Sequence, residues 1–279
     1  MTEKRKIHFY EPVILILAML FFVLPILFVV INSFKKKLYI TDQPFTLPFG
    51  DMFAGLSNYI DGIEKTGFFS AFGYSLFITV FSVLGIILFS SMCAWFIVRV
   101  KEWYTTALYY IFVFSMIVPF QMMMFTISKE ADMLSLDNPV GMVFLYIGCG
   151  AGMAVFMFTG FIKGIPLEIE EAAMIDGCNP IQIYFRIMMP ILKPTVITIA
   201  ILNAMWIWND YLLPYLVIGI STKYKTIPVV VQYLKGTYGA IDYGSFMSML
   251  VLAIIPVVIF YAVCQKYIIQ GVLSGAVKG

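Results

Sequence analysis

The chain has 279 residues, of which 61% are hydrophobic and only 12% charged, with a formal net charge of +2. An ordinary soluble domain carries roughly 25% charged residues, so this composition excludes one and describes a membrane protein. The small, scattered charge argues against a nucleic-acid partner or a polybasic lipid patch, and four cysteines without a CxxC pair (Cys93, Cys149, Cys178, Cys264) beside a single histidine, His8, give no disulfide framework and no metal site.

The opening "EKRKIHFYEPVILILAMLFF" begins like a signal peptide, but its apolar run is too long for one and no small-x-small cleavage site ends it. It is expected to stay as the first span. Six apolar runs follow one another at approximately 12–33, 74–98, 105–127, 140–161, 195–218 and 244–264, each near the length that carries a helix across a bilayer. They do not alternate as barrel strands do, so the expectation is an all-α polytopic membrane protein forming one transmembrane domain of six helices. Pro25, Pro119, Pro214 and Pro256 interrupt spans, each removing a backbone donor and inviting a kink. The glycines at 148, 150 and 152, the pair Gly160 and Gly164, and the pair Gly271 and Gly275 permit close helix approach. Ten of the 18 Lys and Arg residues fall on the side of the N-terminus, a weak bias toward N-in that the run Lys35 to Lys37 opposes.

Between the fourth and fifth spans lies "IPLEIEEAAMIDGCNPIQIYFRIMMPILKP", residues 165–194, with Glu168, Glu170, Glu171 and Asp176 within nine residues. A bilayer-buried carboxylate costs about 2.5 to 3.5 kcal/mol on the insertion scale, so this segment belongs outside the membrane core. Pro166 suits a first helical turn, the carboxylates favour its positive end, and Gly177 suits the left-handed residue that stops it. Asn179 is a good N-cap and Pro180 a good first-turn residue for a second short helix ending near Pro190 and Pro194. A helix-turn-helix over about 166–189 follows, lying against the membrane face. Ala172 and Ala173 leave bare surface beside Glu171, while Ile181, Ile183, Phe185, Ile187 and Met188 offer apolar docking surface. Its acidity disfavours DNA, and a solvated amphipathic connector is the plainer alternative to a partner surface.

"EAAMIDG", nine residues and then "IMMP" resembles the EAA motif of binding-protein-dependent ABC importer permeases, E-A-A-three residues-G-nine residues-I-x-L-P, with Met189 in place of the usual Leu. The segments "VPFQMMMFTI", "WIWNDYLLP" and "GVLSGAVKG" are similar to those of carbohydrate permeases of the maltose-transporter type, in particular the smaller six-span subunit, so the resemblance covers nearly the whole chain. It implies the type I ABC importer permease fold in a bacterial or archaeal plasma membrane, with both termini cytoplasmic. It implies as partners a second permease subunit in a heterodimer, two ATP-binding cassette ATPase subunits and an external sugar-binding protein. By the same resemblance Glu171, Ala172, Ala173, Asp176, Gly177, Ile187 and Pro190 couple to the ATPase, the external loop 221–243 reaches the sugar-binding protein through Thr237, Tyr238 and Gly239, and the tail at Lys278 and Gly279 reaches the ATPase. A plain solvated loop and a free tail are the alternatives at those two places.

The fifth span carries Trp206, Trp208, Asn209, Asp210 and Tyr211, a mixture of aromatic faces, amide and carboxylate that suits a sugar ring. Trp and Tyr also collect at membrane interfaces and Asp210 can bond helix ends, so pathway lining and structural anchoring both stand. Gln121, ahead of Met122, Met123 and Met124, is a further lining candidate. In the maltose-type transporter the sugar contacts belong mainly to the larger permease. No P-loop, GxSxG or HExxH appears, so neither an enzyme nor a cofactor is expected, and the energy is assigned to separate ATPase subunits. The rival reading is an ion-coupled secondary transporter of small polar solutes, disfavoured because neither inverted repeats nor several intramembrane ionisable groups are seen.

Overall fold

The structure is a computed structural model that describes residues 10–220, 222–235 and 241–276, with side chains described as far as residue 267. Among these residues all regular structure is helical apart from one isolated antiparallel bridge between Lys35 and Phe53. The helices are α1 (Tyr10–Ser33), α2 (Lys37–Asp42), α3 (Ser57–Thr66), α4 (Phe68–Arg99), α5 (Trp103–Ile117), α6 (Phe120–Met133), α7 (Pro139–Ile162), α8 (Glu168–Ile175), α9 (Pro180–Ile183), α10 (Met189–Ile191), α11 (Lys193–Asn209), α12 (Leu212–Pro214), α13 (Ile227–Tyr233) and α14 (Tyr243–Ala276).

Four stretches, Tyr10–Ser33, Phe68–Arg99, Pro139–Ile162 and Tyr243–Tyr267, are each long and apolar enough to cross a membrane alone. Two bent pairs bring the number to six if each makes one crossing. The run expected as one span over 105–127 is two helices, α5 and α6, meeting at 105°. Proline explains the break: Pro119 cannot continue the hydrogen-bond ladder and holds Val118 extended, at φ −72° and ψ 118°. The run expected over 195–218 is likewise divided, because α11 ends at Asn209 and Asp210 turns extended before α12. Upstream, Pro180–Ile191 meets α11 at 75° beside Pro194, a first-turn proline of α11.

The chain forms two compact units. One comprises residues 1–69 and 230–256. No residue in the most apolar stretch of α1 is buried, so its sides are left to lipid or to another chain. Its end is tied down by polar groups: the Asn58 amide donates to the carbonyls of Ser33 and Lys35, both at 2.8 Å, and Ser248 Oγ donates to Asn58 O at 2.7 Å. Lys35 is fully buried and its ammonium donates to the carbonyls of Gln43 (2.8 Å) and Pro44 (3.2 Å).

The other unit comprises residues 70–229 and 257–279. Its core holds Ile86 of α4, Met142, Tyr146, Ala154, Phe158 and Ile162 of α7, and Ile199 of α11. Helix α7 starts on an Asn138 cap, whose Oδ1 accepts from the amides of Val140 and Gly141, with Pro139 in the first turn. Small residues set how closely it packs. A methyl group on Gly150 would lie 2.5 Å from Ile86 Cδ1 and 2.8 Å from Asn203 Oδ1, and one on Gly152 would lie 2.8 Å from Phe112 O of α5.

Candidate functional site

The acidic segment folds as two short helices joined by a tight bend. Helix α8 carries Glu168, Glu170 and Glu171 in its first turn, where the helix dipole favours carboxylates. It stops in a Schellman turn: the Cys178 amide donates to Ala173 O and the Gly177 amide to Met174 O, each at 3.0 Å, with Gly177 at φ 84°. Asn179 then caps α9 through a reciprocal box, its Oδ1 accepting from the Gln182 amide while Gln182 Oε1 accepts from its own, both at 2.9 Å. Beyond Ile183 the ladder widens into a π turn over Tyr184–Met188. Pro190 accounts for it, since it has no amide to offer Arg186 O and its ring crowds that carbonyl.

Burial divides this segment into an inner and an outer face. Glu168, Glu171, Ala172, Asp176, Gly177 and Pro190 are exposed, with Met174, Ile175, Ile181 and Phe185 as exposed apolar neighbours. Ala173, Ile183, Tyr184 and Met188 face inward, and Ile187 is half-buried. The apolar docking face expected from Ile183 and Met188 therefore belongs to the core, and the bare alanine surface beside Glu171 is that of Ala172.

Glu170, alone among the four carboxylates of this segment, is buried. Its side chain is 2% exposed and pairs with Arg99 at the end of α4, at 2.7 Å. Arg99 Nε donates to Glu170 Oε1 at 2.7 Å, Arg99 Nη2 also donates to Ile165 O at 3.2 Å, and Trp95 Nε1 donates to Glu170 Oε2 at 2.8 Å. Tyr184 packs its ring 5.7 Å from that of Trp95 and shares a 2.6 Å hydrogen bond with Ser91. The available signal was the spacing of Ser91, Trp95 and Arg99, which places three hydrogen-bonding side chains on one helix face.

The fifth-span cluster is dispersed. Trp206 and Asn209 are exposed, Asp210 and Tyr211 half-buried, and Gln121 is exposed at the start of α6. Asp210 is held by two bonds: the buried Tyr146 hydroxyl donates to its Oδ2 and the Leu212 amide to its Oδ1, both at 2.9 Å. Trp206 meets the Tyr146 ring edge-on at 5.5 Å, and Tyr211 stacks on Tyr215 at 5.1 Å. The two Tyr146 contacts join α7 to the end of α11 and the break after it. Thr237, Tyr238, Gly239, Lys278 and Gly279 lie outside the described residues, and no group of three or more His, Cys, Asp or Glu among the described residues is arranged to hold a metal.

Residues 86–274 match the family described as binding-protein-dependent transport system inner membrane component. The chain is 39% identical to the probable starch degradation products transport system permease protein AmyC of Thermoanaerobacterium thermosulfurigenes, over 98% of this chain and 99% of that one. It is 33% identical to the multiple sugar-binding transport system permease protein MsmG of Streptococcus mutans, over the full length of both. Its fold is similar to a chain in the crystal structure of a bacterial ABC transporter involved in the import of the acidic polysaccharide alginate, with a TM-score of 0.76 at 23% identity, covering 92% of this chain and 95% of that chain. The chain thus belongs to the binding-protein-dependent transport system inner membrane component family, as a multi-pass membrane permease of the ABC importer fold and not an enzyme.

Proposed function

We propose that the chain is one permease subunit of an ATP-driven importer of sugars or oligosaccharides, forming half of the translocation pathway with a second permease and coupled through residues 165–194 to two ATPase subunits. The observation that carries this is the division of the acidic segment. Glu171, Ala172 and Asp176 stand exposed on a short helix whose neighbouring Glu170 is fixed inside, so the outward face is rigidly presented. A rigid short helix transmits a displacement that a flexible loop would absorb. In this reading Glu171 makes the ionic contact, Gly177 supplies the bend, and Ile187 and Pro190 shape the second arm. Ala173 supports the face from within.

The relatives' printed functions concern starch degradation products and multiple sugars, which supports carbohydrate as the cargo. Trp206, Asn209 and Gln121 line the path, Tyr211 borders it, and Asp210 holds the helix break beside it. Thr237 to Gly239 approach the external sugar-binding protein, and Lys278 and Gly279 approach the ATPase. Both termini are cytoplasmic. Purification of the chain with co-expressed ATPase, second permease and binding protein tests this, with maltotriose, raffinose and arabinotriose as probes. At least one sugar should stimulate ATP hydrolysis and enter proteoliposomes, while Glu171→Lys and Gly177→Asp stay inserted and lose uptake. Uptake by this polypeptide alone, driven by an ion gradient, would refute the proposal.

A further inference from the structure

We infer that the face of α4 formed by Ser91, Trp95 and Arg99 is the joint through which movement of α8 and the π turn reaches the membrane span, with Glu170 as its positioning residue. This rests on the reading that the outer face of α8 is driven by an ATPase.

The three α4 residues are spaced four apart, so they lie along one side of the helix, and together they hold successive parts of the acidic segment. Arg99 holds Ile165, before α8, and Glu170, within it. Trp95 reaches both α8 and the π turn, donating to Glu170 Oε2 at 2.8 Å while its ring packs on Tyr184. Ser91 holds Tyr184 at 2.6 Å. The two arms of the bend are therefore fastened to one end of one long helix, which runs 32 residues from Phe68 to Arg99.

The chemistry of the joint suits force transmission. An apolar contact slides at little cost, whereas charge-assisted bonds are short and directional and define one register. With 2% of the Glu170 side chain and 18% of that of Arg99 exposed, water is poorly placed to replace either partner. Glu170 and Glu171 are consecutive and divide two tasks, the first gripping the span and the second facing outward. Neither Trp95 nor Arg99 belongs to the outward-facing group, so substituting them removes no contact atom from that face.

The test uses the full complex in proteoliposomes and reads three quantities: ATPase retained on purification, ATP hydrolysed, and maltotriose, raffinose or arabinotriose taken up per ATP. Glu170→Gln, which keeps size and an acceptor for Trp95 but loses the charge, is expected to retain ATPase and hydrolysis while uptake per ATP falls about tenfold. Trp95→Phe, which keeps the ring and leaves the ion pair in place, is expected to fall by a smaller factor, and Glu170→Asp to recover part of the loss. Glu171→Lys should instead lose the ATPase itself. The inference is overturned if Glu170→Gln transports as many sugars per ATP as wild type, or if it sheds the ATPase as Glu171→Lys does. Should Glu170→Gln fail to accumulate in the membrane, Trp95→Phe decides alone, and a wild-type ratio there overturns the joint. A wild-type complex that retains no ATPase, or moves none of the three sugars, overturns the functional reading itself.

Discussion

Gly177 allows the bend of the acidic segment to be tested with little steric confusion. It sits at φ 84°, and a Cβ added there would meet no atom within 4 Å. A side chain therefore has room, and the penalty is that of holding an L-residue in the left-handed region, about 1–2 kcal/mol for alanine. Since 1.4 kcal/mol is tenfold in an equilibrium, the population with the intact Schellman turn should fall relative to its alternatives by about 5- to 30-fold. Asparagine tolerates this conformation better and valine worse. Affinity for the co-expressed ATPase, measured by titration against the detergent-purified permease pair, should rank glycine first, then asparagine, alanine and valine. Asparagine as damaging as valine would refute the conformational argument, and valine binding as well as glycine would show that the bend is not needed for docking.

Gly150→Ala should cost about 1–3 kcal/mol by overpacking against Ile86. Thermal unfolding in detergent checks this, and Ile86→Val, which deletes the clashing Cδ1, should recover part of the loss. Tyr146→Phe removes the hydroxyl that Asp210 accepts from and should cost about 1.5–3 kcal/mol, as for a hydrogen bond to a charged group. Asp210→Asn keeps one acceptor oxygen and puts an amide NH2 where the other stood, to which the Tyr146 hydroxyl can turn as acceptor, and should be milder, so a severe transport defect there with unchanged stability would assign the carboxylate to the cargo instead. Outside the spans, Lys65 and Asp242 pair at 2.6 Å. The bond to Asp242 raises the Lys65 ammonium above its usual value. Burial pushes Asp242 up, but bonds from Lys65 and Ser245 outweigh it and leave its carboxyl below the usual range. The stabilisation is thus fully present between the unfolded values, about 3.9 and 10.4, lost on acidification through the depressed carboxyl and on alkalinisation through the raised ammonium. Because both groups are partly exposed it is worth at most about 1 kcal/mol. Asp242→Asn should lower the melting temperature slightly at neutral pH, and the difference should vanish in acid.

What was legible in the sequence was local. Gly177, Asn179 and Pro180 act within a few residues of themselves, so the Schellman turn and the capping box could be anticipated from spacing alone. Pro119 announced a kink, but its 105° size depends on packing that composition does not carry. Nothing local sets Glu170 apart from Glu168 and Glu171, because its partner Arg99 lies 71 residues earlier. The apolar residues of the second arm were legible as apolar, yet whether Ile181 or Ile183 faces inward depends on what α4 presents to them. Lys35 shows the same limit in another form. It entered the charge count as one of the cations opposing N-in, whereas it is buried among backbone carbonyls, where burial pushes its amine below the usual range. A lysine spent on tying a loop to the end of α1 carries less orientation information than one in solvent.

In the proposed mechanism the outer face of α8 meets an ATPase. The most direct measurement places a photo-crosslinking phenylalanine derivative at Ala172, which is exposed, in the intact complex in native membranes. The predicted result is an adduct of this chain with the ATPase subunit, abolished by Glu171→Lys. A complex that retains its ATPase and transports sugar, yet gives no such adduct from position 172, would contradict the account.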